Sequence, residues 1–151
     1  MELKIEFGSM MHKGIMTLCV DRFLDMCNMK DFKKLLNLID TSYTPEARDV
    51  LKEYITEYLA KVDDELKNYA NNIVNARTEY KEQQPSLDAL IKSRDRYKKN
   101  TEPYKEGMEK VKQQREKMRN IKYVWKSNER EFYETLKRKE CYQKYLALLD
   151  Q

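Results

Sequence analysis

The sequence predicts an all-α protein built around a long antiparallel, coiled-coil-like helical hairpin with a small helical base. Three observations predict this fold. Charged residues make up 37% of the chain, whereas glycine and proline occur only three times each, which is typical of long helices. Apolar residues recur every three or four positions through most of residues 44–126. The short segment 83–86, Gln-Gln-Pro-Ser, divides that stretch into two halves of similar length.

Residues 2–7 alternate between charged and apolar side chains, which predicts a short N-terminal β-strand. Leu3, Ile5 and Phe7 would share one face of it and are candidate interface residues. We find no second strand of similar quality, and a single strand is not stable alone. The strand would therefore pair with its copy in a dimer, extend the sheet of a partner, or remain a disordered or helical leader.

Two short amphipathic helices are predicted at residues 15–27 and 31–39, completing an N-terminal segment that spans residues 1–42. Asn28 and Asp31 form a capping pattern at the start of the second helix. Apolar residues are denser here than elsewhere, so this pair is the predicted core. These residues are Ile15, Leu18, Cys19, Phe23, Leu24, Phe32, Leu35, Leu36 and Ile39.

The hairpin is predicted over residues 44–126. Thr44 is placed to cap its first helix, and Pro45 occupies the first helical position, where its missing N–H costs nothing. The apolar stripe follows an ordinary straight helix. It consists of Ala47, Leu51, Ile55, Tyr58, Val62, Leu66, Tyr69, Ile73, Ala76 and Tyr80.

The second half of the hairpin follows the proposed turn at residues 83–86 and folds back on the first. A single kinked helix through Pro85 is the alternative. Apolar residues in the second half follow a heptad rhythm that is interrupted by polar side chains. Pro103 lies within it and predicts a kink, or a short break at which Thr101 caps the resumed helix.

A separate C-terminal helix is predicted over residues 128–151, with Asn128 and Glu131 as its capping box. If the chain turns at Pro85, this helix joins the N-terminal pair in the base. Its apolar stripe consists of Phe132, Leu136, Tyr142, Tyr145, Leu146 and Leu149.

The two halves of the predicted hairpin differ in charge. Residues 45–83 carry nine acids against six bases, and residues 86–126 carry thirteen bases against six acids. Aromatic residues lie among these bases, as on nucleic-acid-binding surfaces. The candidate nucleic-acid contacts are Lys92, Arg94, Arg96, Lys98, Lys99, Lys105, Lys112, Arg115, Arg119 and Lys122.

Internal neutralisation is the preferred explanation of this charge. A turn at Pro85 would place Lys105 beside Asp64 and Arg119 near Asp49, so acids of one half would pair with bases of the other. Such pairs add little stability but favour one register. The net charge of +4 and the pI of about 8.8 are modest for a nucleic-acid-binding protein.

The sequence does not predict an enzyme. Its only histidine, His12, falls in a predicted loop, and three glycines are too few for a phosphate-binding loop. The acidic run at residues 63–65 does not converge on a metal, because successive helical residues point about 100° apart. We expect no catalytic, metal or cofactor site.

We expect a cytoplasmic protein. The three cysteines form no CxxC pair and leave an odd thiol, which is typical of a reducing compartment. Neither a signal peptide nor a membrane span is evident. Lysine outnumbers arginine, which suits an accessory protein of a bacterium or of its virus; for a viral protein the compartment would be the host cytoplasm.

The remaining function is protein binding. Eleven tyrosines and eight methionines supply large, adaptable groups of the kind found at interfaces. We expect a homodimer or a subunit of a larger complex, acting as an adaptor, assembly factor or inhibitor; nucleic-acid binding is the alternative. Besides the strand residues, the candidate interface residues are Tyr97, Tyr104, Tyr123, Trp125 and Phe132.

Overall fold

The structure is a computed structural model and describes residues 1–9 and 11–151. Helices account for 77% of the chain, and the two long helices pack against each other. The elements, in order, are β1 (Glu2–Gly8), β2 (Lys13–Cys19), α1 (Val20–Met26), α2 (Met29–Asp40), α3 (Ala47–Asp95) and α4 (Glu102–Leu149). The predicted fold class, a long helical hairpin with a short N-terminal strand, is confirmed.

The chain forms two compact units. The sheet unit comprises residues 1–64 and 135–151, and the hairpin unit comprises residues 65–134. The sheet unit contains β1, β2, α1 and α2 with the first part of α3 and the last part of α4. The hairpin unit contains the rest of α3 and α4 and the turn that joins them.

The predicted strand β1 pairs within the chain, antiparallel to β2, with Leu3 opposite Leu18 and Ile5 opposite Met16. The proposed pairings with a copy or with a partner's sheet, and the unstructured leader, are therefore wrong for β1. The predicted helix at 15–27 is also wrong in its first part, because it begins only at Val20. Ile15 and Thr17 are β-branched and favour extended backbone.

Gly8 makes the connection between the strands possible. Its φ of +111° lies in a region that side chains with a Cβ rarely adopt. A Cβ at this position would collide with the main-chain oxygen of His12. His12 itself is exposed, and its N–H donates to the main-chain oxygen of Ser9 at 3.2 Å.

Helix α2 forms as predicted. The Asn28 side chain caps it by accepting a hydrogen bond from the Asp31 N–H at 2.8 Å. Two residues assigned to the core are exposed instead, because Ile15 and Cys19 point away from it on strand β2. The buried cluster of the sheet unit is formed by Leu3, Ile5, Val20, Leu24, Phe32, Leu35, Leu36, Ile39, Ala47, Leu51, Ile55, Tyr142, Tyr145 and Leu149.

Helix α3 begins at Ala47, and the Thr44 side chain does not cap it. The hydroxyl of Thr44 instead accepts a hydrogen bond from the Glu6 N–H of β1 at 3.2 Å. The main-chain oxygen of Thr44 accepts the Ala47 N–H at 3.0 Å. The segment before α3 is therefore held to the edge of the sheet.

The turn of the hairpin is not at Pro85. Helix α3 continues through this proline to Asp95, so the proposed helix boundaries at residues 83–86 are wrong. Proline removes one helical hydrogen bond and costs about 3 kcal/mol in a helix interior. Packing against α4 offsets this cost: the Gln114 side chain donates to the main-chain oxygen of Gln83 at 3.2 Å, and the Tyr80 and Trp125 ring centroids are 6.1 Å apart.

The chain reverses at residues 96–101, between α3 and α4. Asn100 has φ +71°, which asparagine tolerates better than most residues. Helix α4 then begins at Glu102, with the Thr101 main-chain oxygen accepting the Lys105 N–H at 3.1 Å. Pro103 lies in the first turn of α4, where it needs no donor. The predicted short break before Pro103 is thus the actual hairpin turn.

Helix α4 is continuous from Glu102 to Leu149, so no separate helix starts at residue 128. Asn128 does not cap a helix. Its side chain donates to the main-chain oxygen of Val124 at 2.8 Å and accepts from Asn72 of α3 at 3.2 Å. The capping-box prediction fails because Asn128 and Glu131 both lie inside a regular helix.

Candidate interaction surfaces

The charges of the hairpin unit do not neutralise each other across its two helices. In this unit, every residue of which the structure describes, no ion pair within 4.0 Å joins α3 to α4. Lys105 pairs instead with Glu102 of its own helix at 3.7 Å, and Asp63, in the sheet unit, pairs with Lys139 at 2.6 Å. The predicted Lys105–Asp64 register is therefore wrong, because the turn lies at residues 96–101.

Five of the ten candidate nucleic-acid contacts line one open groove of about 540 Å³ in the hairpin unit. Four of them recur at helical spacing on one face of α4, and Arg94 comes from α3. Met108 and Val111 contribute apolar surface, and Glu109 and Glu116 lower the positive charge. The five bases of this basic groove are Arg94, Lys105, Lys112, Arg115 and Arg119.

Arg94 reaches the basic groove because Gly107 lets the helices approach closely. A Cβ on Gly107 would lie only 3.0 Å from Arg94 Cβ and 3.1 Å from Arg94 Cα. The guanidinium carbon lies 5.8 Å from the centroid of the Tyr104 ring, in range of a cation–π contact. Arg94 Nε also donates to Asp95 Oδ1 at 2.9 Å, and this hydrogen bond raises the pKa of Arg94.

The other candidate bases do not line this groove. Lys92 is exposed near the end of α3, and Lys122 is exposed on α4. Arg96, Lys98 and Lys99 are exposed in the hairpin turn. Of the ten candidate nucleic-acid contacts, five therefore line the basic groove and five are exposed elsewhere.

An apolar groove of about 350 Å³ lies between the two helices of the hairpin unit. The α3 residues in it are Ala70, Ile73, Val74 and Arg77, at the spacing of a single helical face. The Val74 and Tyr133 side chains remain 61% and 60% exposed, although both are large and apolar or aromatic. The α4 residues that line this apolar groove are Trp125, Glu129, Phe132 and Tyr133.

The aromatic side of the apolar groove is held in place by its neighbours. Arg77 and Lys126 lie over the Trp125 ring, at 5.4 Å and 4.6 Å from its centroid. The Phe132 and Tyr133 rings meet edge to face at 5.6 Å. Lys126 also lies 3.6 Å from Glu129 Oε2. The groove thus has an aromatic floor with one base and one acid on its rim.

The candidate interface residues fall into three groups. Trp125 and Phe132 line the apolar groove. Tyr97 and Tyr123 are exposed outside both grooves, and Tyr104 lies half-buried beneath Arg94. The third group comprises the strand residues.

The strand residues do not form a free interface. Leu3 and Ile5 are buried in the core of the sheet unit, so their assignment to an interface was wrong. Phe7 is half-buried, with its ring over Gly14.

Sequence reasoning missed Val74 and Tyr133, two exposed apolar or aromatic residues of the apolar groove. Val74 lies four residues after Ala70, and Tyr133 lies four residues after Glu129, so their helical spacing was visible in the sequence. The sequence did not show that these two faces meet, because a turn at Pro85 would have brought other residues of α3 opposite Trp125. The location of the turn therefore decides which residues form the groove.

A polar cluster joins α1 to α4 in the sheet unit. Arg138 Nε lies 2.9 Å from Asp25 Oδ1, and the Tyr142 hydroxyl donates to the same oxygen at 3.2 Å. The Tyr145 hydroxyl donates to the Cys27 main-chain oxygen at 2.9 Å. Burial raises the pKa of Tyr142, Tyr145 and the Cys27 thiol. These groups stay neutral and act as hydrogen-bond donors that position α1.

The described residues offer neither a metal site nor a membrane-spanning helix. Among residues 1–9 and 11–151, no three histidine, cysteine, aspartate or glutamate side chains come together as a metal site would require. Within the same residues, no helix combines the length and apolar character needed to span a bilayer. Comparisons with protein-family models, with curated proteins and with solved structures found no match.

Proposed function

We propose that this chain is a non-enzymatic interaction protein whose hairpin unit binds an amphipathic helix of another protein in the apolar groove. The observation that carries the proposal is the exposure of Val74 and Tyr133 beside Trp125 and Phe132. Such a protein would act as an adaptor, an assembly factor or an inhibitor of a larger complex.

The shape and chemistry of the groove favour a helix as its ligand. Two rows of side chains, one from each helix, flank a channel into which the ridge of a third helix can pack. Burial of apolar area contributes about 25 cal/mol per Å², and aromatic anchors commonly dominate binding energy. Arg77 and Glu129 would select the polar flank of the incoming helix.

A display library of amphipathic helical peptides tests this proposal directly. Peptides are selected on the wild-type chain after depletion on Val74→Asp, and their affinities are then measured by fluorescence anisotropy. We expect selected peptides with apolar residues at i, i+3, i+4 and i+7 that bind Val74→Asp at least about tenfold more weakly, equivalent to about 1.4 kcal/mol.

Tyr123→Ser is the matched control, because Tyr123 is 71% exposed in the same unit but outside the groove. It should bind the selected peptides like the wild type. The proposal fails if no peptide is enriched, or if Val74→Asp and Tyr123→Ser bind the selected peptides equally well.

A second candidate function is the binding of a nucleic acid in the basic groove. It is supported by the five clustered cations and by the lack of ion pairs between the helices of the hairpin unit, whose residues are all described. The argument from internal neutralisation no longer counts against it. Protein binding remains first, because a polyanion would not cover Val74 and Tyr133.

Anisotropy of a labelled single-stranded oligonucleotide tests the second candidate. If all five cations contact phosphates, log K should fall with log[salt] with a slope of about −3.5. Arg115→Ala/Arg119→Ala should weaken binding, and Lys81→Ala/Lys92→Ala, which removes two exposed charges outside the groove, should weaken it less. Absence of binding at low salt, or binding insensitive to salt, would exclude this function.

A further inference from the structure

The outer edge of strand β2 carries main-chain groups that have no hydrogen-bond partner among the described residues. In an antiparallel pair, successive residues direct their N–H and C=O groups alternately toward and away from the neighbouring strand. The Val20 N–H donates to the Met1 oxygen at 3.0 Å, which fixes this alternation. Met16 and Leu18 therefore bond to β1, whereas Ile15 and Thr17 direct their main-chain groups outward.

At the outer edge of β1, by contrast, the main-chain groups of Glu6 have hydrogen-bond partners. The Glu6 oxygen accepts the Tyr43 N–H at 2.8 Å, and the Glu6 N–H donates to the Thr44 hydroxyl at 3.2 Å. The segment before α3 thus covers this edge at Glu6. Among the described residues, no hydrogen bond reaches the outward main-chain groups of Ile15 or Thr17.

After Lys13 at its start, strand β2 lacks the features that protect exposed edges. Proteins commonly place lysine, proline or a bulge on such strands to prevent pairing with another chain. Residues 14–19 contain no charge and no proline, and their register with β1 is uninterrupted. The Ile15 side chain is 65% exposed on the outer face of the sheet. An edge whose only charge is Lys13 at its start is suited to strand addition.

We propose that β2 pairs antiparallel with β2 of a second copy, about a twofold axis at Met16, to give a continuous four-stranded sheet. With the axis at Met16, all four residues whose main chain points outward form hydrogen bonds with the second copy. These residues are Lys13, Ile15, Thr17 and Cys19. Each Ile15 then faces Thr17 of the second copy, which is a favourable β-branched pair. No two like charges meet across the new interface.

The partner is a second copy rather than a different protein because the edge is complementary to itself. Lys13 faces Cys19 of the second copy, and Leu18 faces Gly14, so a large side chain lies opposite a small one. Met16 lies opposite its own copy. This interface uses only the sheet unit, so it does not depend on the apolar groove of the hairpin unit.

Sedimentation equilibrium of the wild type and of Ile15→Lys tests the dimer. The wild type should have twice the single-chain mass of 18.3 kDa, and Ile15→Lys should have the single-chain mass, because lysine on an edge strand opposes pairing. Circular dichroism checks that both variants are folded. Val74→Lys, a similar charge added in the hairpin unit, should remain dimeric.

Cross-linking tests the register. Met16 would form a non-hydrogen-bonded pair with its copy, for which the Cα–Cα distance is about 4.5 Å, within the range of a disulfide. With Cys19, Cys27 and Cys141 replaced by serine, Met16→Cys should form a covalent dimer under mild oxidation. Lys4→Cys, on the covered strand β1, should not.

Three outcomes would overturn the proposal. The first is a single-chain mass for the wild type at every attainable concentration, and the second is a dimer that Ile15→Lys leaves intact. The third is protection of the Ile15 and Thr17 amides from hydrogen exchange only after a different protein is added, which would assign the edge to that protein. None of these results would affect peptide binding in the apolar groove.

Discussion

The sheet unit and the hairpin unit cover their apolar surfaces to different extents. In the sheet unit, two strands and four helical segments enclose one cluster that includes the fully buried Phe32 and Ile39. In the hairpin unit, only one stripe along each helix is buried, formed by Leu66, Ala76, Val111, Met118 and Ile121. Two helices can bury the seam between them but leave its flanks open to solvent. We infer that the first unit supplies stability and the second supplies binding surface.

The largest expected difference between the units comes from removing one phenylalanine in each. Phe32 is fully buried and stacks on Tyr145 with ring centroids 4.4 Å apart, so Phe32→Ala should lower the free energy of unfolding by about 3–5 kcal/mol. Phe132→Ala removes a half-buried ring and should cost about 1 kcal/mol. Urea unfolding followed by circular dichroism measures both. Equal losses would contradict the division of roles between the units.

Alkaline pH should destabilise the sheet unit selectively. Burial raises the pKa of Tyr54 from 10.0 to about 12, with a contribution from Asp21, and burial also raises the pKa of Tyr142 and Tyr145. Because the folded pKa exceeds the unfolded one, the stability that Tyr54 contributes is complete below pH 10.0 and is lost as the pH rises toward 12.

Urea midpoints measured across this pH interval test the alkaline effect. Tyr54→Phe should flatten the pH dependence, because it removes one of the titrating groups. Tyr123→Phe, at an exposed position of the hairpin unit, should leave it unchanged. A pH dependence that is the same in all three proteins would show that Tyr54 is not responsible.

Asn28 and Asn128 lie in similar sequence patterns, but replacing them should change the stability by different amounts. Asn28 caps α2, and Asn28→Ala should cost about 1 kcal/mol. Asn128 lies inside α4, and Asn128→Ala should change stability by no more than about 0.5 kcal/mol. Thermal unfolding of the two variants, with Asn28→Ser as the conservative control, makes the comparison. A larger loss at Asn128 would mean that its bond to Asn72 is a main support of the hairpin.

A small change in stability is also expected at Gly107. Alanine favours a helix over glycine by about 1 kcal/mol, but its Cβ would lie 3.0 Å from Arg94 Cβ, and overpacking costs about 1–3 kcal/mol. We expect a net loss of about 0.5 kcal/mol for Gly107→Ala, with Glu106→Ala as an exposed neighbouring control. If the oligonucleotide binds, Gly107→Ala should weaken it by displacing Arg94; unchanged binding would remove Arg94 from the site.

Local patterns predicted the local structures well. The alternation at Leu3, Ile5 and Phe7 gave a real strand, Asn28 is a real cap, and the α3 stripe from Ala47 to Ala76 faces inward. These features depend on neighbouring residues, so the sequence contains the information directly. Strand β2 was mistaken for helix because Ile15 and Leu18 also fit helical spacing, and only the pairing with β1 decides between the two.

Long-range features were not predictable in the same way. Pro85 is a strong helix breaker, but packing on both sides of it overrides that preference, whereas Asn100 and Thr101 gave a weaker signal for the actual turn. The shift of the turn from Pro85 to residues 96–101 changed which residue of α4 lies opposite each residue of α3. The shifted turn separates the residues that were expected to form ion pairs and brings together the residues that line the apolar groove. No local sequence pattern could have revealed this.

Two pairs of amide side chains are hydrogen-bonded across the hairpin seam. Asn72 bonds to Asn128, and Gln114 bonds to Gln83, at 3.0–3.2 Å. Neutral groups are not screened by electrolyte as surface ion pairs are. Ionic strength can therefore be varied widely without weakening these amide contacts, so they do not contribute to a response of ligand affinity to salt.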